Sequence, residues 1–254
     1  MMFQGATTKM KSLTALPLIG LALALAACGK DAGDNNATAA NSTASAVSAP
    51  AGSAWTDTVS KTAEGGFVIG NPNAAVKLIE YGALSCSHCA EFSEKSHDKL
   101  MGYVSKGTVS FEFRPFMLNS YDLPASLLAR CAGPGPFFAI AEQMFAAQRE
   151  FFTTAQSVPP AVQQSWQGLK EDQLAAALAK AYGFDSFVQQ RGISTAQANA
   201  CLADTAAIKE LNDILQNGVK QFQITGTPTF IVNGKKEDVN TWEAVEPLLI
   251  AAGA

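Results

Sequence analysis

Two cysteines separated by two residues, Cys86-Ser87-His88-Cys89, stand just after an apolar, strand-like run, Val76-Lys77-Leu78-Ile79-Glu80-Tyr81. A pair at this spacing, passed from a strand into a helix, can close into a small disulfide ring and reopen. The same spacing also serves as half of a metal clip. The surrounding chain must therefore supply either an α/β scaffold that presents a strand-to-helix turn or a second set of ligands.

The chain has 254 residues, 48% of them hydrophobic, enough for one large domain or two small ones. Its first 27 residues stay outside that estimate. Lys9 and Lys11 precede an uncharged apolar run, Leu13 to Ala27, too short for a comfortable membrane span. It ends in Leu25-Ala26-Ala27-Cys28, which resembles the lipobox of bacterial lipoproteins, where the cysteine becomes the acylated first residue. A leader over 1–27, lipidation at Cys28 and a periplasmic, membrane-anchored location are the expectations. Residues 28–64 are nearly all small or polar, with Trp55 the one large apolar side chain, and this composition predicts a disordered tether. Losing Lys9 and Lys11 takes the formal charge from −4 to −6, which argues against nucleic acid as a partner.

Of the five cysteines, Cys131 and Cys201 remain once Cys28, Cys86 and Cys89 are assigned. In an oxidising compartment two such residues pair, and a bridge between them would close a loop of about 70 residues worth roughly 4 kcal/mol.

Beyond the tether, Gly66–Gly70 reads as a short strand and Val76–Tyr81 as a central one. Cys86 to about Val104 reads as a helix, broken by Lys106-Gly107. Val109, Phe111 and Phe113 alternate with polar residues as a half-buried strand. Leu123 to Ala203 has no convincing strand, and helices are predicted over 125–131, 136–151, 170–182 and 195–202. Ile208, Leu211, Leu215, Val219 and Phe222 form one apolar stripe on a long helix. Thr229–Val232 makes a strand, Asn233-Gly234 a hairpin turn, and 241–252 a closing helix that Asn240 could cap.

This order resembles the DsbA-like thiol:disulfide oxidoreductases, on four marks: the Cys86–Cys89 motif, Glu80, the helical stretch, and Thr227-Pro228 before a strand. The fold so implied is α/β, a thioredoxin-like domain in two halves (65–117 and 204–254) interrupted by an inserted helical domain (118–203). The resemblance implies that the Thr227–Pro228 bond is cis and faces the cysteine pair. It also implies reduced exported proteins as substrates, a membrane partner that recycles the pair, and no cofactor.

The residues support the same chemistry directly. A free thiol is only about 3% ionised at pH 7, and orphan amides at a helix start favour a thiolate at Cys86. His88 adds a donor or positive charge on that turn, and Cys89, one turn deeper, would be the resolving thiol. A carboxyl at Glu80, on the strand face shared by Val76 and Leu78, would be desolvated and could exchange protons with Cys89. Where the family usually has proline, this chain has Ser87. Two alternatives stay open: an isomerase or reductase of the same fold, and a copper- or zinc-handling lipoprotein. No metal site is expected, since Cys86, His88 and Cys89 offer three ligands and a structural zinc site takes four. His97 reads as a solvated residue.

Overall fold

A computed structural model describes residues 45–254, and the expectations for the leader, Cys28 and the tether up to residue 44 lie outside the described residues. A six-stranded sheet organises the molecule in the order β1-β2-β4-β3-β5-β6. The strands are β1 (Val59–Lys61), β2 (Phe67–Gly70), β3 (Val76–Gly82), β4 (Val109–Pro115), β5 (Thr229–Val232) and β6 (Lys235–Glu237). Only β3 and β4 run parallel, joined by the crossover helix α1 (Ser87–Ser105), and every other pairing is antiparallel. Apolar residues on both faces of β3 fit its place between β4 and β5, covered on both sides.

Between β4 and the returning helix come seven helices: α2 (Asp122–Ala129), α3 (Pro134–Ala146), α4 (Gln148–Gln156), α5 (Pro160–Gln164), α6 (Glu171–Tyr182), α7 (Phe184–Gln189) and α8 (Thr195–Leu202). The long α9 (Thr205–Phe222) lays Ile208, Leu211 and Ile214 on the sheet, while of the rest of the expected stripe Leu215 and Phe222 are half-buried and Val219 is exposed; α10 (Trp242–Ala251) covers the other face with α1. Gly218 brings α9 close to the sheet, since a Cβ there would lie 2.7 Å from Cε1 of Tyr81. The insertion is not a free-standing lobe. Its Tyr121, Phe137, Phe145 and Phe151 share one buried cluster with Phe67, Tyr81 and Phe113 of the sheet.

Four expectations need correction. The tether was expected to run to Glu64, but order begins earlier. Trp55, in a 3₁₀ turn, is buried against α1 and β2, and its indole N–H donates to Val47 O (2.6 Å). The space it fills exists because residue 107 is glycine: a Cβ there would lie 2.6 Å from the indole nitrogen. β1 then adds an edge strand to the sheet.

The strand at β4 is buried at every position rather than half-buried, because α9 covers its polar face. Under that cover Arg114 pairs with Glu112 (2.7 Å) and bonds Tyr81 Oη (3.0 Å), so the buried charges are matched. The helix predicted over 136–151 is two, divided at Ala147, and α5 and α7 were not foreseen. Asn240 does not cap α10; Thr241 occupies the cap position without a side-chain bond.

Candidate active site

The turn from β3 into α1 builds the site. Cys86 is the N-cap residue of α1, with extended backbone, and its sulfur accepts the N–H of Cys89 at 3.3 Å. The chain therefore enters its helix with orphan amides pointed at that sulfur. Both cysteines are free thiols; Cys86 retains 8% exposure and Cys89 none. Their environments push them apart. A hydrogen bond from the Cys89 thiol, helped by the backbone N–H groups of Cys89 and His88, pulls the Cys86 thiol down to about 5 against the opposing effect of burial. Burial drives the Cys89 thiol well above the ordinary range, aided by its bond to Cys86 and by the charges of Glu80 and Cys86.

Glu80 lies on the central strand beneath the pair, 2% exposed. Burial first, and then the charge at Cys86, lift its carboxyl to about 8, while the neighbouring Cys89 side chain works the other way. At neutral pH it is a protonated acid beside a protonated thiol. The loop between α9 and β5 closes the site from the opposite side. The Thr227–Pro228 bond is cis, and the Cys86 thiol donates to Thr227 O at 3.3 Å. Thr229 Oγ1 donates back to Gly226 O (2.7 Å) and braces this loop.

His88 contributes differently from the expectation. Its ring is exposed and turned to Glu91, with 3.8 Å between Nδ1 and Oε2. What reaches the Cys86 sulfur is the backbone N–H of His88. Because the ring faces away, Cys86, His88 and Cys89 do not converge as a ligand set. Cys131 and Cys201 are bonded to each other within the insertion, S–S 2.03 Å, joining the residues after α2 to α8.

Two functional residues escaped the sequence reading, and both come from the insertion. Asp122 is fully buried and accepts from Ser85 N (2.8 Å), Ser85 Oγ (2.9 Å), Leu118 N (2.9 Å) and Asn119 N (3.2 Å). Burial raises its carboxyl above the ordinary range, and these bonds pull it back. Gln148, the first residue of α4, donates Nε2 to Leu84 O (2.8 Å) and Cys86 O (3.1 Å). Together they fix the three residues that lead into the helix. An acidic residue opening α2 was the one available signal for Asp122, and it pointed to a helix start rather than a clamp.

The model of the family described as thioredoxin matches residues 62–250, both halves of the sheet and the whole insertion. The chain belongs to the thioredoxin family. Its sheet interrupted by helices is the DsbA-like form of that fold. A protein-disulfide isomerase structure from Novosphingobium aromaticivorans is 26% identical, with TM-score 0.69, covering 72% of this chain and 95% of that one. Wolbachia pipientis alpha-DsbA1 superimposes with TM-score 0.56 at 19% identity over 72% of this chain and 87% of its own, a likeness of fold. A Rickettsia bellii protein named "Putative protein-disulfide oxidoreductase" is 25% identical over 175 residues, 68% of this chain. The match spans 59% of that protein's length, and 55% in a Rickettsia conorii relative that is 27% identical.

Proposed function

We propose that this protein is a thiol:disulfide oxidoreductase that introduces disulfides into exported proteins from the periplasm, held to a membrane by lipid on Cys28. The observation that carries the reading is the division of labour between the two sulfurs. Cys86 is a stabilised thiolate at a helix start, and Cys89 is a buried thiol over a protonated carboxyl. In the oxidised protein a substrate thiolate attacks Cys86 Sγ, the Cys86–Cys89 bond breaks, and Cys89 leaves with the electron pair. Glu80 supplies the proton that sulfur needs. A second substrate thiolate then attacks the substrate sulfur of the mixed disulfide, and Cys86 departs as a thiolate, the form this site favours. The substrate leaves oxidised, the pair is left reduced, and a membrane redox partner restores it. Thr227 O, beside Cys86, offers an acceptor to the backbone of an extended substrate. Thr227, Pro228 and Cys86 thus form the substrate-facing edge.

A stabilised thiolate favours the reduced protein and makes the disulfide oxidising. Equilibration with glutathione, quantified by thiol trapping, tests this directly. A potential above about −180 mV is expected, and one near the −270 mV of thioredoxin would assign the protein to reduction instead. An isomerase would begin from the reduced Cys86 thiolate, so refolding of a scrambled multi-disulfide substrate without added oxidant separates that reading.

A further inference from the structure

The ring of His88 stands on the first turn of α1, where a donor or positive charge turned inward would act on the Cys86 sulfur, yet it faces Glu91 instead. The reason lies in a line of charges that runs along α1 and onto α10. α1 has no acidic residue in its first turn, so Glu91, three residues beyond His88 on the same helical face, is the carboxylate the ring meets. Its two oxygens are divided. Oε2 stands 3.8 Å from His88 Nδ1, and Oε1 stands 2.7 Å from Nζ of Lys95, one turn farther on. Glutamate four residues ahead of lysine is the favoured order for such a pair. Lys95 is held in turn at 3.3 Å by Oε1 of Glu243, in the first turn of α10. Glu91 is thus tied on its far side to two helices. Its carboxyl is held below the usual range, first by Lys95 and in smaller part by His88, so it is charged at neutral pH.

We propose that Glu91 is a positioning residue that sets the redox potential of the cysteine pair by holding the His88 ring off the Cys86 sulfur. The proposal rests on the reading of Cys86 as the sulfur whose thiolate governs that potential. Among the described residues Glu91 is the one ion-pair partner of the ring, and the ring is 64% exposed, so packing does not fix it. With Glu91 neutralised, the ring is free to turn toward the N-cap position two residues away, where an imidazole N–H or imidazolium would bind the thiolate. Cys86 leaves the mixed disulfide as a thiolate, so whatever stabilises that form favours the reduced protein and makes the disulfide more oxidising. As built, the thiolate takes its bonds from the Cys89 thiol and from the backbone N–H groups of Cys89 and His88. The imidazole is held in reserve. The pair therefore works below the oxidising power its own motif could reach, which eases its reoxidation by a recycling partner.

The experiment is redox equilibration of the full chain with glutathione at neutral pH and low ionic strength, where exposed pairs are least screened. Wild type, Glu91→Gln, His88→Gln and the double variant are compared, with thiol trapping to read the equilibrium constant. Both side chains are largely exposed, so every variant is expected to fold. Glu91→Gln is expected to raise the constant for reduction of the protein by about two- to fivefold, the range of one exposed ion pair. In the His88→Gln background the same substitution is expected to leave the constant nearly unchanged. The carboxylate's own field at Cys86 acts alike in both backgrounds, so the difference between them isolates the ring. Ultraviolet thiolate absorbance should show the Cys86 transition moving to lower pH in Glu91→Gln, again only where His88 is present. Equal shifts in both backgrounds, or no shift in either, would overturn the positioning role and leave the oxidase reading standing. That reading is tested separately by the wild-type potential itself.

Discussion

The stabilities of the oxidised and reduced proteins should diverge with pH, and the divergence measures the Cys86 thiolate. Folded Cys86 gives up its proton near pH 5, whereas the unfolded thiol keeps it to about 9. Between those values the unfolded chain binds more protons, so the reduced protein gains stability as pH rises. From pH 5 to 7 this amounts to two pKa units, about 2.7 kcal/mol at most. Cys86 is 8% exposed but caps the helix close to the surface, and solvent screening brings the figure to about 1–2 kcal/mol. The oxidised protein has no thiol to titrate. Glu80 acts in the opposite sense: its folded carboxyl holds a proton from pH 4.5 up to about 8, so stability falls with rising pH across that window. That loss burdens both redox forms and drops largely out of their difference. Its dependence on the Cys86 charge trims the gap a little. The cross-link itself favours the oxidised form by about 2 kcal/mol at every pH and shifts only the offset. Urea unfolding of oxidised and dithiothreitol-reduced protein at pH 5, 6, 7 and 8, followed by circular dichroism, gives the gap directly. It should move toward the reduced form by about 1–2 kcal/mol between pH 5 and 7. A gap that stays flat over that range would show that the folded site does not favour the thiolate, and the oxidising assignment would lose its basis.

Gln148→Leu should leave Leu84 O and Cys86 O without this donor at a cost of about 1–3 kcal/mol, and ultraviolet thiolate absorbance against pH should show Cys86 titrating differently from wild type. Asp122→Ala strips the acceptor from three backbone amides and should destabilise by at least about 3 kcal/mol, measured by urea unfolding; a loss under 1 kcal/mol would mean water replaces the carboxylate. Replacing Cys131 and Cys201 together by serine opens a 70-residue loop and should cost up to about 4 kcal/mol, with the Cys86 titration unchanged. Gly218→Ala, which in an exposed helix would stabilise, should lower the melting temperature because the new methyl meets Tyr81; a rise would refute the close approach of α9 to the sheet.

The parts of the fold legible in the chain are those whose signal is local. β3, α1 and β5 announce themselves by apolar runs and breakers, and α9 by a stripe at helical spacing. β4 was misread on burial because alternation of polar and apolar residues implies a wet face, and only the packing of α9 turns that face into a buried ion pair. The division of α3 from α4 has no breaker residue, since Ala147 is a good helix former. Its effect is to aim Gln148 at a carbonyl 64 residues earlier, a relation no periodicity records. Asp122 likewise serves an amide 37 positions away. His88 shows the opposite limit: its position in the motif is plain, but which way its ring turns is decided by Glu91 on the next turn.

The seat of Trp55 also fixes a direction. Val47 N donates to Lys106 O, so the N-terminal segment joins the body at the far end of α1 from Cys86. That helix has 19 residues and is about 28 Å long. An anchor at Cys28 would therefore pull on one pole of a rod whose other pole does the chemistry. In the proposed lipid-anchored form the cysteine pair would look outward, toward soluble clients, and a recycling partner embedded in the same bilayer would lie behind it. To meet such a partner the body would have to turn over. Residues 28–46 can span no more than about 60 Å at full stretch, roughly twice the length of the rod, which would leave room for such a turn. The number of residues between Cys28 and Trp55 would then set the rate of recycling without altering the chemistry at Cys86.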